Sequence, residues 1–193
     1  MDLSDYRQLL EQMLKQKAIV VWLTGLPCSG KTTLGVMLEQ KLLEMGFYVR
    51  LLDGDITRKG LCRDLGFSGN DRIENIRRVA EISKLFAESG IITINAFITP
   101  TEELRQMARD IIGRQDFVNV YINSPLHICE LRDVKGMYKK ARNGEISDFT
   151  GVSAPFEPPL SPDIEINTAE MNPEQSIELL LNYILPKITA THV

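Results

Sequence analysis

The sequence predicts an α/β fold in which a parallel β-sheet carries helices on both faces. Two observations carry that expectation. Short apolar runs alternate with helix-spaced segments along the chain, and strands of a parallel sheet, covered on both sides, read as continuous apolar stretches. The octapeptide GLPCSGKT, Gly25 to Thr32, sits directly after the apolar run 18–23 and before the helical pattern 33–43. In that context successive backbone N–H groups form an anion cradle and the following helix turns its positive end toward it.

Taken in order, the first 17 residues are expected to be helical, with the pattern clearest over 3–16. A strand over 18–24 delivers the glycine-rich loop, a helix over 31–45 follows, and the apolar stretch 47–52 is the second strand. Helices are expected over 56–65 and 71–89. The second of these places Ile73, Ile76, Val79, Ala80, Ile82, Leu85 and Phe86 close to helical spacing before Gly90 stops it. A strand at 91–97, a helix at 101–112, a strand at 117–122 and a helix at 125–132 come next. The segment 134–161, rich in charge, glycine and proline, reads as irregular. A short strand at 163–166 and a helix over 173–186, opened by Pro173 with Asn172 as its cap, complete the chain. Ligands of such a sheet gather at the carboxyl ends of its strands.

At 193 residues with 44% apolar content, the chain can bury one substantial core, so a single domain, 1–193, is expected. Its 22 basic and 26 acidic residues leave a net charge of −4, which provides no global field for nucleic acid or an anionic membrane. The opening MDLSDYRQLLEQMLKQK lacks the basic-then-apolar layout of a secretory signal, and no 18-residue apolar stretch exists, so a cytoplasmic location is expected. Cys28, Cys62 and Cys129 have no metal-like spacing and suit reduced thiols.

The chemistry concentrates in three clusters. In the first, Gly25, Leu26, Pro27, Cys28, Ser29, Gly30, Lys31, Thr32 and Thr33 are candidates for holding the phosphates of ATP. Lys31 would reach the β- and γ-phosphates, and the Thr32 hydroxyl would ligate Mg²⁺. Cys28 is either a reactive thiol or a small filler in a loop that needs only backbone donors. The second strand then runs into LLDGDITRKG, bringing Asp53 and Asp55 to the same sheet edge, where either carboxylate could orient Mg²⁺ through water and Asp55 could accept a proton from an attacking hydroxyl. Asp55 also stands where the next helix wants an N-cap. The third strand, IITINAF, ends without the aspartate of many phosphate-loop ATPases and GTPases, and no NKxD segment occurs, which favours a small-molecule kinase over a switch or motor.

The second cluster, RKGLCRDLGFSGNDRIENIRR, carries Arg58, Arg72, Phe67 and Asn75: planar guanidinium forks suit phosphate or sulfate, and the ring suits a base. Arg77 and Arg78 read as surface or dimer contacts. The third, DVKGMYKKARNGEISDFTGVSAPFE, combines Lys135, Lys139, Lys140 and Arg142 with Tyr138, Phe149 and Phe156, as a mobile lid over about 134–161 would.

Together, GLPCSGKTT, LDGDITRKGLCRDLGFS, NDRIENIRR, FITP and KGMYKKARNGEISDFTGVSAPFE closely resemble the adenylylsulfate (APS) kinases over about 18–158, in the same order and spacing. The resemblance implies a three-layer phosphate-loop kinase fold, homodimers, and transfer of the γ-phosphoryl of ATP to the 3′-hydroxyl of adenylyl sulfate with Mg²⁺. It also implies that Asp55 contacts the acceptor hydroxyl, and that Arg58, Arg72, Asn75, Ile98 and Thr99 line the acceptor site. Phe67 and Phe149 would stack on its adenine, and Lys135 would be a lid cation. Three positions depart from the family pattern. Ile56 replaces a common asparagine, and Glu102 replaces a frequent arginine. Thr99 stands at the position of a serine described as a phosphoryl carrier, though a loop hydroxyl or hydrogen-bonding role suits it better, because direct in-line transfer needs no covalent intermediate. The competing readings are a kinase of the same fold with another acceptor and a non-catalytic ATP-binding regulator.

Overall fold

The computed structural model describes residues 3–190; the outermost residues of the expected N-terminal helix (1–2) and of the tail (191–193) lie outside the described residues. Five parallel strands form one sheet: β1 (Val20–Thr24), β2 (Val49–Asp53), β3 (Ile92–Ala96), β4 (Phe117–Asn123) and β5 (Ile164–Asn167), in the order β2-β3-β1-β4-β5. β1 is central, with Val20 registered against Thr93 on one side and Phe117 on the other. Its residues are buried throughout, as are those of β3, whose polar Thr93 and Asn95 are buried with the rest.

Helices α2 (Lys31–Glu44) and α8 (Pro173–Ile188) cover one face, where Leu34, Leu38, Leu42, Leu180 and Ile184 pack on Val21, Leu23, Ile94 and Val120. Helices α4 (Gly69–Glu88) and α5 (Glu102–Ile112) cover the other, where Ile76, Val79, Leu104 and Ala108 pack around Val20 and Trp22. This is the expected three-layer architecture. Helix α1 (Leu3–Leu14) is anchored below the sheet: Arg7 forks onto Asp116 at 2.6 and 2.9 Å, and the buried Gln16 side chain donates to the carbonyls of Tyr48 and Gly90. Asn172 caps α8 through Gln175 N at 2.9 Å, in a reciprocal capping box, as its sequence position leads one to expect.

Two expectations fail. The helix over 56–65 shrinks to the four-residue α3 (Gly54–Thr57), followed by successive i→i−3 turns through Gly60, Arg63 and Leu65. The buried Cys62 pulls this stretch inward, and Arg78 pins it to α4 by gripping Asp64 and the Leu61 carbonyl. Conversely, the segment 134–161 is not wholly irregular. Besides the short α6 (Leu126–Leu131) before it, it holds α7 (Met137–Arg142), opened by Gly136 at φ 66° and organised by the Asp133 carboxylate, which accepts from Met137 N and Tyr138 N. α4 begins two residues early because Ser68 and Asp71 form its capping box.

Candidate active site

The glycine-rich loop joins β1 to α2 at the carboxyl end of the central strand. Gly25 must lack a side chain, since a Cβ there would lie 2.5 Å from the Ile122 carbonyl oxygen of the neighbouring strand. Gly30 turns into α2 at φ 105° and offers no side-chain cap, leaving the first helical N–H groups facing the loop. Cys28 adopts φ 60°, the left-handed region, and is half-buried, so its thiol fills space at a position where the backbone makes the turn.

Lys31 crosses this loop, its ammonium donating to the Gly25 and Leu26 carbonyls at 2.9 and 2.7 Å. The third ammonium donor reaches only the Ser29 hydroxyl, at a long 3.5 Å, a contact that an anion in the loop could replace. Lys31 is only 8% exposed, and burial pulls its pKa down to about 8 despite nearby Asp53.

The next residue settles which aspartate stands behind the hydroxyl. Thr32 Oγ1 donates to Asp53 Oδ2 at 2.7 Å, while Asp53 Oδ1 accepts from Asp55 N at 2.9 Å and caps α3. Asp53 is therefore both the partner of Thr32 and the N-cap, the capping role that the sequence spacing assigned to Asp55. Asp55 sits one residue into α3, 70% exposed, and pairs with Lys135 of the lid segment. That hydrogen bond holds the Lys135 ammonium above its ordinary pKa.

On the other flank, the Arg58 guanidinium lies over the Phe67 ring at 4.4 Å and donates to the Gly66 carbonyl. Phe67 itself is 65% exposed, one face of its ring being covered by Arg58. Arg72 ties the two aromatic segments together. It donates to the Phe67 carbonyl at 3.0 Å, and its guanidinium reaches the Asp148 carbonyl and the Thr150 hydroxyl on either side of Phe149. Asn75, one turn along α4, is buried with its amide oxygen unpartnered. The Ile98 carbonyl accepts from Thr24 Oγ1 and from the Gly25 N–H, so this segment is sewn to the start of the phosphate loop.

Thr99 is placed differently from a solvent-facing phosphoryl carrier. It is 1% exposed, and its hydroxyl accepts from the Trp22 indole at 2.9 Å. Its carbonyl accepts from Arg105, whose Nε meets Glu102. Glu102 thus lies in the first turn of α5 as counter-ion to a buried arginine. Arg77 and Arg78 pair with Glu74, Glu81 and Asp64 as a surface network.

Two contacts were not legible in the sequence. Arg132 donates to the hydroxyl and carbonyl of Thr168, whose hydroxyl donates to the Ser29 carbonyl of the phosphate loop at 2.8 Å. Tyr138 donates to the Pro27 carbonyl of that loop. Arg132 carries no motif signal, and the lid motif that contains Tyr138 does not reveal its partner, because each meets the loop only through the return of a distant segment.

This combination of a phosphate cradle on β1, a hydroxyl–carboxylate pair beside it and a cationic, aromatic segment folded over the same sheet edge defines an ATP-dependent phosphotransferase of the phosphate-loop kinase class. The family described as adenylylsulphate kinase matches residues 17–167. The adenylyl-sulfate kinase of Bacteroides thetaiotaomicron is 52% identical over 178 residues, covering 92% of this chain and 89% of that protein. That of Clostridium acetobutylicum is 53% identical over 178 residues, covering 92% and 88%. The structure of the Mycobacterium tuberculosis APS kinase CysC in complex with AMPPNP and APS superposes with a TM-score of 0.84 at 38% identity, covering 88% of this chain and 98% of that one. The chain belongs to the adenylylsulphate kinase family.

Proposed function

We propose that this protein transfers the γ-phosphoryl group of ATP to the 3′-hydroxyl of adenylyl sulfate, giving 3′-phosphoadenylyl sulfate and ADP. The observation that carries the reading is the placement of Asp55. The carboxylate emerges two residues beyond Asp53, the partner of Thr32, and meets Lys135 from the lid segment. In this reading the loop from Gly25 to Thr33 holds the triphosphate and Lys31 stabilises charge on the transferring phosphoryl. Arg132 and Thr168 brace the loop from outside at the Ser29 carbonyl.

The acceptor is an aromatic, anionic nucleotide. Phe67 and Phe149 stack on its adenine, with Arg58, Arg72, Asn75 and the Ile98–Thr99 segment around it. Asp55 receives the proton of the attacking hydroxyl, and residues 134–161 form the lid of one kinase domain. Thr99, with its hydroxyl committed to Trp22, is outside the transfer path.

Hard oxygen donors 2.7 Å apart, the Thr32 hydroxyl and the Asp53 carboxylate, fit Mg²⁺. When bound there the ion would neutralise phosphate charge, while Asp53 orients the hydroxyl. Three unpaired cysteines suit the reducing cytoplasm, and a homodimer is the proposed assembly, to be measured by light scattering.

A coupled ADP-release assay tests the reading against AMP and other nucleotide acceptors. Adenylyl sulfate should give the highest kcat/KM. A rate with adenylyl sulfate no greater than with water, alongside turnover of another acceptor, sinks the assignment.

A further inference from the structure

Tyr138 touches both the phosphate loop and the segment that carries Phe149. It is 2% exposed, although it belongs to a segment whose neighbours Lys139 and Lys140 are exposed. Its hydroxyl donates to the Pro27 carbonyl at 3.0 Å, at the middle of the phosphate loop. Its ring meets Phe149 edge-on, with centroids 4.9 Å apart and planes at 78°. Gly151 seals the contact: a Cβ there would press on Leu26 of the phosphate loop at 3.0 Å and approach the Tyr138 ring at 3.9 Å. The backbone of α7 allows little play, because Asp133 holds the N–H groups of both Met137 and Tyr138.

We propose that Tyr138 is a positioning residue that transmits occupancy of the phosphate loop to the lid ring Phe149, so that nucleotide binding orders the clamp for the acceptor. Pro27 lies beside Leu26, whose carbonyl accepts from Lys31, and before Cys28, whose left-handed turn aims the next N–H groups. An anion drawn into this loop therefore pulls on the carbonyl that Tyr138 holds, and a two-torsion aromatic side chain passes the displacement on with little slack. Burial drives the phenol pKa well upward, so it remains a donor across the physiological range. The consequence for turnover rests on the kinase reading above; the mechanical link does not.

The test is hydrogen exchange of the lid peptide spanning 145–153 in the full chain, with and without saturating ADP. In the wild type, ADP should slow exchange of this peptide. Tyr138→Phe keeps the ring and removes the hydroxyl, so ADP should still bind with similar affinity while about five-fold of the slowing, the share of one buried hydrogen bond, disappears. Phe149→Leu approaches the link from its far end and keeps the test available should Tyr138→Phe fold poorly; ADP affinity should again hold while the slowing falls. Equal slowing in the wild type and either variant, or no slowing in the wild type, overturns the proposal. If the slowing is lost as expected but the wild type does not phosphorylate adenylyl sulfate, the link stands and the acceptor assignment fails.

Discussion

Thr32 in the first turn of α2 and Asp53 at the end of β2, 21 residues apart, share a 2.7 Å hydrogen bond between hydroxyl and carboxylate. The same carboxylate caps α3 through its other oxygen, so the geometry of the phosphate loop and the placement of Asp55 depend on one side chain. Asp53→Ala should lower kcat by about 10- to 100-fold, the usual effect of removing a group that orients a metal ligand. It should also raise the Mg²⁺ concentration needed for half-maximal rate and remove about 1 kcal/mol of stability with the cap. A Mg²⁺ titration of turnover, with thermal melts alongside, checks all three; unchanged Mg²⁺ dependence would release Asp53 from this role.

Lys31 makes the pH behaviour predictable. Its folded pKa, about 8, lies below its unfolded value, so the native state binds fewer protons between the two. The destabilisation from burying the ammonium is fully present below pH 8 and is relieved as pH rises toward the unfolded pKa. Triphosphate favours the charged form, so nucleotide binding above pH 8 should take up a proton and weaken as pH rises. Calorimetry at pH ~8.5 in two buffers of different ionisation enthalpy should reveal that uptake in the wild type and none in Lys31→Met. The variant should also lose on the order of 3 kcal/mol of transition-state stabilisation, more than 100-fold in rate.

The Asp55–Lys135 pair is exposed on both sides, so its contribution to stability should be small, within about 0.5 kcal/mol. Its contribution to turnover should not be. Asp55→Ala should depress kcat while leaving KM for ATP nearly unchanged. Steady-state kinetics decide; a variant with wild-type kcat would take Asp55 out of the catalytic set.

Phe149→Ala removes one face of the proposed acceptor clamp. Stacking of a base on an aromatic ring is worth about 1–3 kcal/mol, so KM for adenylyl sulfate should rise by about 5- to 150-fold. KM for ATP should move far less. Equal changes in both constants would mean that the ring supports the lid as a whole.

Thr99→Val tests the buried hydroxyl. Losing the acceptor for the Trp22 indole should destabilise the fold by about 1–3 kcal/mol, measurable by urea denaturation. Turnover of the folded enzyme should stay within about two-fold, since direct transfer passes no group through this residue. Abolished turnover in a folded variant would restore the phosphoryl-carrier role.

The phosphate loop, the strand–helix alternation and the cap at Asn172 were legible in the sequence because each depends on neighbours a few residues away: strand before, helix after, cap three residues from its donor. The resemblance of ordered motifs likewise supplied the residues proposed to surround the acceptor. Tertiary structure alone decided the rest. It made Asp53, and not Asp55, the helix cap and the partner of Thr32, because β2 ends at Asp53, whose two carboxylate oxygens reach the first turn of α2 and the start of α3. It reduced the helix expected over 56–65 to one turn, because burial of Cys62 and the grip of Arg78 outweigh local propensity. It buried Thr99 under an indole and carried Tyr138 across to Pro27. Those contacts join segments 77 and 111 residues apart, and only packing, which sums over the whole chain at once, can select them.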